Sequence, residues 1–381
     1  MTPRNDIAIY APFASLFYEQ ASERSGESPD GGGGAELQTA ILAAELARRG
    51  LRVAHIVYSV KRRIPDPPVD VVERPRPDRD DRGGLGRLAE LPPTWRSLKA
   101  ADARLYVLRG GGSLLLVIGA LFCLVHRRVL VLSTSNDFDF LKRPDRSRFG
   151  QALSGFARKR AKRVIAQTEQ QARLAREALG SDERIRLIRS FADPGPPRDT
   201  PIEPESFLWV GRVAPYKLPL EYLRLARALP ELHFRMVGAI TGDSSSSLLG
   251  EIEAERRDLS NLEMLPHLWR EAVLELMDRS AAVVLTSEYE GMPNVFLEAW
   301  GRGVPVLSLH FDPDGVIARE GLGVYADGSR ERLAEGARRL WDDASLRAEM
   351  GRRGRAYVAR THARDVVGQE WAETLKEALQ G

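Results

Sequence analysis

One segment in the second half of the chain combines two glutamates with a glycine and proline turn. A strand predicted to end at about Thr286 leads into this turn, and a helix is predicted to begin near Asn294, a residue suited to cap it. Glu290 lies in the turn, and Glu298 lies one turn into the helix. Ligands of parallel sheets bind beyond the carboxyl ends of the strands, where helix amino termini offer unpaired N–H groups to phosphate. The segment therefore predicts an anion site, with a carboxylate suited to accept hydrogen bonds from two ribose hydroxyls.

A second segment places two cations after a predicted strand. The strand from 207 to 210 is predicted to enter a turn at Gly211, which is followed by Arg212 and then Lys217 before a helix. Glycine permits close approach of a ligand to the backbone, and the cations supply the positive charge that a diphosphate leaving group requires. Cations placed where charge develops stabilise the transition state more than the ground state. This segment therefore predicts a diphosphate site.

Two glycine runs in the first half give weaker signals. Residues 31–34 are all glycine, and an amphipathic helix is predicted to follow them to about Arg49. Glycines before a helix can cradle phosphate, or they can simply form a flexible loop. Arg109 ends a predicted strand before the second run, where it could contact an acceptor or a phosphate, or equally cover the start of a helix.

Taken together, these segments resemble the signature of the retaining glycosyltransferases of family 4. The residues that carry the resemblance are Gly33-Gly34-Ala35-Glu36, Gly211-Arg212 with Lys217, Ser287-x-x-Glu290-Gly291-x-Pro293, Glu298-Ala299 and Gly303-x-Pro305-Val306. The two glutamates of the family signature stand eight positions apart, as Glu290 and Glu298 do. The resemblance implies an α/β fold with two Rossmann-like domains facing each other across a cleft, which is the GT-B architecture.

The resemblance also implies a role for each matched residue. It makes Glu290, Arg212 and Lys217 the catalytic residues, with Glu290 facing the transferred sugar and the two cations on the diphosphate. The donor-binding residues that it implies, with Glu298 on the ribose, are Gly33, Gly34, Gly211, Gly291, Asn294, Val295 and Glu298. The implied reaction is retaining and front-side, in which the departing diphosphate helps to deprotonate the incoming hydroxyl.

One position departs from the family pattern. Many members have a histidine after the strand that corresponds to residues 129–133, whereas this chain has Ser135, Asn136 and Asp137 there. Either these three residues contact the sugar or acceptor, or the site is altered. Asp137 and Asp139 resemble the metal-binding Asp-x-Asp of the other large glycosyltransferase fold, but that fold has a single domain. We therefore expect no metal site and no cofactor, with the nucleotide sugar serving as the donor substrate.

Apolar runs alternate with helical patterns along the whole chain, which is typical of parallel α/β layers. Thirteen strands are predicted, seven before and six after a proline-rich segment at 193–204 that breaks regular structure. We therefore predict an acceptor domain at 1–195, a donor domain at 196–362, and a final helix at 363–381 that packs back toward the first domain.

Composition limits the cellular setting. The 381 residues include one cysteine, Cys123, and their longest apolar run, 114–125, is shorter than the roughly 20 residues of a membrane span. We therefore expect a cytoplasmic protein. Residues 1–200 contain 34 Lys and Arg against 24 Asp and Glu, a net charge of +10, whereas the remainder carries −7. The basic half, with Arg158-Lys159-Arg160 and Lys162-Arg163, could lie peripherally on an anionic membrane face or could simply be a solvated surface.

The main prediction is transfer of a hexosyl-type sugar, without a metal, to a hydroxyl of a glycan, lipid-linked or small-molecule acceptor, for example in cell-envelope polysaccharide synthesis. One alternative is a nucleotide-sugar 2-epimerase of the same architecture, although the histidine set expected for its acid and base is missing. The other alternative is a non-catalytic anion-binding protein. Nucleic acid is not expected as a partner, because no recognised nucleic-acid motif is present.

Overall fold

The computed structural model describes residues 3–20, 33–76, 89–109, 113–140, 148–195, 203–240 and 244–380. Of the glycine run at 31–34, only Gly33 and Gly34 fall within these ranges, and the glycines at 110–112 lie outside them. The chain forms two compact units. The first comprises Met1–Phe191 together with Arg364–Gly381, and the second comprises Ala192–Ala363.

The first unit contains a parallel sheet of seven strands in the order β3-β2-β1-β4-β5-β6-β7. The strands are β1 (Asn5–Tyr10), β2 (Val53–Tyr58), β3 (Asp70–Arg74), β4 (Ala103–Arg109), β5 (Val129–Ser133), β6 (Arg163–Ala166) and β7 (Ile185–Leu187). The chain reverses its direction of travel across the sheet between β1 and β4, which pair in parallel. Arg109 ends β4 directly opposite Ser133, so both residues lie at the edge where the strands end.

The second unit contains a parallel sheet of six strands in the order β10-β9-β8-β11-β12-β13. The strands are β8 (Ser206–Arg212), β9 (Phe234–Ala239), β10 (Leu262–Leu265), β11 (Ser280–Leu285), β12 (Val306–Ser308) and β13 (Gly323–Tyr325). Here the reversal falls between β8 and β11, which are neighbours. The crevice at such a reversal is where open α/β sheets bind ligands.

Helices cover both faces of each sheet. Among the described residues they are α1 (Gly34–Arg48), α2 (Leu91–Ala101), α3 (Ser113–Val125), α4 (Arg148–Arg160), α5 (Glu169–Leu179), α6 (Pro219–Ala228), α7 (Ser246–Arg256), α8 (Arg270–Asp278), α9 (Asn294–Arg302), α10 (Val316–Glu320), α11 (Arg330–Asp342), α12 (Ala344–Thr361) and α13 (Arg364–Gln380). No helix of the described chain has the length and apolarity needed to cross a bilayer.

Each unit has two apolar cores, one on either side of its sheet. In the first unit α1 and α13 pack on one face and α2 to α5 on the other. In the second unit α6, α7 and α11 pack on one face, and α8, α9, α10 and α12 pack on the other. The near-continuous apolar character of the strands follows from this double coverage. The α/β fold with two parallel sheets is thus confirmed, with seven strands in the first unit and six in the second, as predicted.

Candidate active site

The centre of the candidate site is an ion pair between the Lys217 ammonium and the Glu290 carboxylate. Lys217 ends a short 3-10 turn that follows β8, and Glu290 lies in the loop between β11 and α9. Because β8 and β11 are neighbouring strands at the reversal of the sheet, residues that are 73 positions apart meet at one edge. Only 16% and 14% of the two side chains are exposed, so each charge depends on the other for compensation.

Two tyrosines join Arg212 to this ion pair. The rings of Tyr216 and Tyr289 stack with their centroids 5.0 Å apart and their planes 12° apart. The Arg212 Nη2 donates a hydrogen bond of 2.6 Å to the Tyr216 hydroxyl, and the Lys217 ammonium lies 5.4 Å from the centre of the Tyr216 ring. We call Arg212, Tyr216, Lys217, Tyr289 and Glu290 the charged cluster. It combines two cations and one carboxylate with a pair of stacked tyrosine rings.

Buried hydrogen bonds hold the backbone beneath the charged cluster. The Trp209 indole N–H donates to the Thr286 hydroxyl at 3.0 Å, and this hydroxyl donates to the Lys217 carbonyl at 2.6 Å. The Glu288 N–H in turn donates to the Tyr216 carbonyl at 3.0 Å. The two loops of the cluster are therefore tied together through main-chain groups as well as through the ion pair.

The residue after Lys217 adopts an unusual backbone conformation. Leu218 has φ of 47° and ψ of 53°, in the left-handed region that costs a side-chain-bearing residue about 1–2 kcal/mol. Strain of this kind persists only where the surrounding structure enforces it, and it tends to occur at functional sites. The sharp turn lets the chain leave the Lys217 position and enter α6 at Pro219.

Glu298 has a different partner. It lies on α9 and accepts a hydrogen bond of 2.7 Å from the Arg270 Nε at the start of α8. Burial raises the pKa of the Glu298 carboxyl above its ordinary value, and the ion pair with Arg270 opposes part of that rise. Arg270 is 44% exposed, whereas Glu298 is 18% exposed. Arg270 is therefore the more solvent-accessible partner of this ion pair.

Two local expectations are wrong. Gly211 does not form a turn, because β8 continues through Arg212 with Gly211 opposite Gly238. A Cβ at Gly211 would lie 3.2 Å from the Trp209 ring, so the glycine gives that ring room. Asn294 is not the cap of α9 but its first residue, and Pro293 holds the cap position. The other residues expected near the donor, Gly291 and Val295, are buried and half-buried at this helix start.

In the first unit, α1 begins at Gly34 with Gly33 as its cap and no side-chain hydrogen bond to that cap. The Nε of Arg109 is buried and has no hydrogen-bond partner among the described residues. Burial lowers the pKa of Arg109 to about 10, with Glu36 and Asp139 opposing the shift. These residues therefore share one edge of the first sheet.

The segment at the missing histidine is held internally. The Asp139 carboxylate accepts hydrogen bonds from the Ser135 N–H at 2.7 Å and from the Ser135 hydroxyl at 3.2 Å, and it also accepts one from the Asn136 N–H. Asp137 opens the short 3-10 turn that ends at Asp139. The second aspartate thus fixes the loop. Within the described ranges no group of three or more His, Cys, Asp or Glu residues could hold a metal ion.

Four residues of the site are not predicted by the sequence motifs: Tyr216, Tyr289, Thr286 and Arg270. Tyr216 and Tyr289 each directly precede a charged residue that was identified, so their position in the chain was an available signal. Arg270 carried no such signal, because its partner lies 28 residues away on another helix.

Two family models match the chain, one over each half. Residues 32–196 match the model of a family described as Glycosyltransferase Family 4, and residues 197–357 match the model described as Glycosyl transferases group 1. A curated relative, the lipopolysaccharide core biosynthesis glycosyltransferase LpsE of Rhizobium meliloti (strain 1021), is 26% identical over 109 residues. That alignment covers 28% of this chain and 32% of the relative, so it spans about a third of the relative's length.

Solved structures share the fold over nearly the whole chain. Anabaena Alr3699/HepE in complex with UDP is 19% identical with a TM-score of 0.72, covering 98% of this chain and 100% of that one. Sucrose-phosphate synthase from Thermosynechococcus elongatus is 14% identical with a TM-score of 0.76, covering 99% and 100%. WaaG, a glycosyltransferase involved in lipopolysaccharide biosynthesis, is 18% identical with a TM-score of 0.67, covering 97% and 99%.

Proposed function

Because this chain belongs to the group 1 glycosyl transferases, with a first half of the family 4 type, we propose that it transfers a sugar from a nucleoside diphosphate sugar to an acceptor hydroxyl. The acceptor is a glycan, a lipid-linked molecule or a small molecule. The observation that carries the proposal is the pairing of Lys217 with Glu290 beside Arg212, where β8 and β11 end. Two cations at the reversal of a parallel sheet suit a diphosphate.

The proposed mechanism is retaining and needs no metal. As the bond between sugar and phosphate breaks, Arg212 and Lys217 stabilise the negative charge that grows on the diphosphate. An ammonium group has three N–H donors, so Lys217 can keep its bond to Glu290 while donating to a phosphate oxygen. Glu290 is thereby held in place to orient the transferred hexosyl group, and the departing diphosphate helps to deprotonate the incoming hydroxyl.

The relatives support a nucleotide-sugar donor and a place in cell-envelope polysaccharide synthesis. HepE was solved with UDP and with UDP-glucose, and the names of LpsE and WaaG refer to lipopolysaccharide synthesis. We extend both features to this chain as part of the proposal. Peripheral contact with the anionic cytoplasmic face of a membrane belongs to it too, because residues 1–200 carry the excess of positive charge.

A thermal-shift screen of nucleotides and nucleotide sugars tests the donor. A ligand that binds only the folded protein stabilises it by mass action, about 2.7 kcal/mol at one hundred times its Kd. We expect at least one nucleoside diphosphate and its sugar conjugates to raise the unfolding temperature, while the free sugar does not. Incubating that donor without an acceptor provides the counter-test, since release of an epimer of the intact nucleotide sugar would favour the epimerase instead.

The affinity for the nucleotide should depend on the ionisation of Glu298. If its carboxylate accepts hydrogen bonds from the ribose, the affinity should be greatest above the raised pKa of Glu298. It should weaken as the pH falls through that pKa, approaching about tenfold per pH unit. Calorimetric titration with the best nucleotide across this pH range measures the effect.

Two substitutions test whether Glu298 is the group whose ionisation controls nucleotide affinity. Arg270→Ala should move the inflection to higher pH, because Arg270 holds the pKa of Glu298 down. Glu298→Gln should weaken binding and remove the inflection altogether. An inflection that persists unchanged in Glu298→Gln would show that some other group controls nucleotide binding.

A further inference from the structure

The carboxyl end of α3 exposes apolar side chains that the fold leaves uncovered. Leu121, Leu124 and Val125 are 41%, 49% and 65% exposed, while the intervening Phe122 and Cys123 are buried. Residues three and four apart share one face of a helix, so the three exposed side chains form one surface. We call these three residues the α3 apex. Of the large apolar side chains exposed in the described chain, which number seven, three lie in it.

The topology places the ends of three helices at the same edge as the α3 apex. The helices α2, α3 and α4 pack on one face of the sheet, and each leads into the next parallel strand. They therefore run in the same direction, and their carboxyl ends lie at the edge where the strands begin. Direct contacts join α2 to α3, since Trp95 lies 5.1 Å from Phe122 and 5.6 Å from His126 between ring centres.

Exposed cations lie at this edge, where the end of α5 also brings the exposed acidic residues Glu177, Asp182 and Glu183. The cations of α2, α4 and the turn after α3 that form no ion pair with a described residue are Arg96, Lys99, Arg127, Lys159 and Arg160. We call these five residues the cationic rim. Two neighbouring cations form ion pairs within the chain, since Arg128 pairs with Asp102 and Arg163 pairs with Glu377. Within the described residues, no carboxylate neutralises the cationic rim by forming an ion pair with it.

Arg127 occupies a position that normally belongs to glycine. Its φ is 51°, and the N–H groups of Arg127 and Arg128 donate to the carbonyls of Leu124 and Cys123. This is the pattern of bonds that closes a helix with a left-handed residue, for which glycine is preferred. The chain thus presents a strained cation two residues after Val125, the most exposed residue of the α3 apex.

From these observations we propose that the α3 apex and the cationic rim dock the first unit on an anionic lipid bilayer. This inference rests on the proposed function, of which it names the membrane-contacting residues. Stable interfacial binding combines apolar insertion with attraction to anionic head groups, because one weak signal alone is readily reversible. The α3 apex supplies the apolar insertion, and the cationic rim supplies the attraction to anionic head groups. A protein partner would require complementary acidic chemistry, whereas an anionic bilayer matches both features at once.

Co-sedimentation with vesicles tests the docking surface. The full-length protein should bind vesicles of equimolar phosphatidylcholine and phosphatidylglycerol at least about tenfold more tightly than vesicles of phosphatidylcholine alone. The double variant Leu124→Ser with Val125→Ser should lose about tenfold in that binding. Ile240→Ser is the matched control, because this exposed apolar residue of the second unit lies outside the apex. It should bind as the wild type does.

A second variant tests the charge of the cationic rim without destabilising the fold. Arg127→Gly removes a rim cation and relieves the left-handed strain, so it should weaken vesicle binding about threefold or more while the unfolding temperature does not fall. Equal binding to neutral and anionic vesicles, or full binding by the double serine variant, would overturn the proposal. Self-association that the double serine variant abolishes, with no vesicle binding by the wild type, would assign the apex to a second copy of the chain.

Failure of the docking surface and failure of the proposed transferase would give different experimental results. Stabilisation by a nucleoside diphosphate should be the same in the double serine variant, Arg127→Gly and the wild type. Vesicle binding without any nucleotide stabilisation would contradict the proposed transferase alone. Nucleotide stabilisation without vesicle binding would contradict the docking surface alone.

Discussion

Replacing Lys217 by alanine should lower kcat by about 10²–10³, the usual loss when one group that stabilises developing charge is removed. Within the charged cluster, Glu290 forms its ion pair with Lys217. Removal of Lys217 should therefore also leave the half-buried Glu290 carboxylate uncompensated. Because the effect is greatest where charge develops on the leaving group, kcat should fall more than the affinity for the donor. Steady-state kinetics with the donor found in the thermal-shift screen measure both quantities.

Matched variants distinguish this role from a general loss of charge. Lys217→Arg keeps the charge but changes the donor geometry, so it should recover only part of the activity. Glu290→Gln keeps the shape and removes the carboxylate charge, and we expect it to lower kcat as well. Lys376→Ala changes an exposed lysine of α13 and should leave turnover unchanged. If Lys217→Ala turned over at the wild-type rate, the site would be wrongly assigned.

Replacing Trp300 by alanine should destabilise the second unit by about 3–5 kcal/mol. The side chain is fully buried on α9, and its indole N–H donates to the Leu322 carbonyl at 3.1 Å. Its ring packs edge-on against Tyr357 at 5.6 Å between centroids, and Gly354 gives it room on α12. The substitution leaves a cavity and removes the indole hydrogen bond, and both changes cost free energy, although the Leu322 carbonyl keeps the bond of 3.2 Å from the Val306 N–H. Urea unfolding measures the loss.

The stability of Trp300→Phe should lie between those of the wild type and Trp300→Ala. Trp300→Phe keeps most of the apolar volume and loses the hydrogen bond to Leu322, so it should cost about 1–3 kcal/mol. Because α9 also carries Glu298, Trp300→Ala should weaken nucleotide binding even at temperatures where the unit remains folded. Equal stability of the alanine variant and the wild type would contradict the packing seen around α9.

The position of the strands could be predicted because the signal is local. Most strands are buried on both faces and read as short apolar runs between glycine, proline or charged residues. The edge strands β10 and β13 are only partly buried. The same local reasoning located Glu290 in a loop and Glu298 within a helix. It failed at Gly211, because β8 continues two residues beyond its apolar run, and at Asn294, because Pro293 rather than a polar side chain precedes the helix.

The sequence by itself determined the residue types at the site, the alternation of strands and helices, and the family resemblance, since all three are written in residues close together along the chain. Only the tertiary structure decided which charges meet. Lys217 pairs with Glu290 because β8 and β11 are neighbours in the sheet, and Glu298 pairs with Arg270 because α8 and α9 share a face. The stacking of Tyr216 on Tyr289 has the same origin. Such contacts depend on strand order, which the spacing of residues along a chain does not encode.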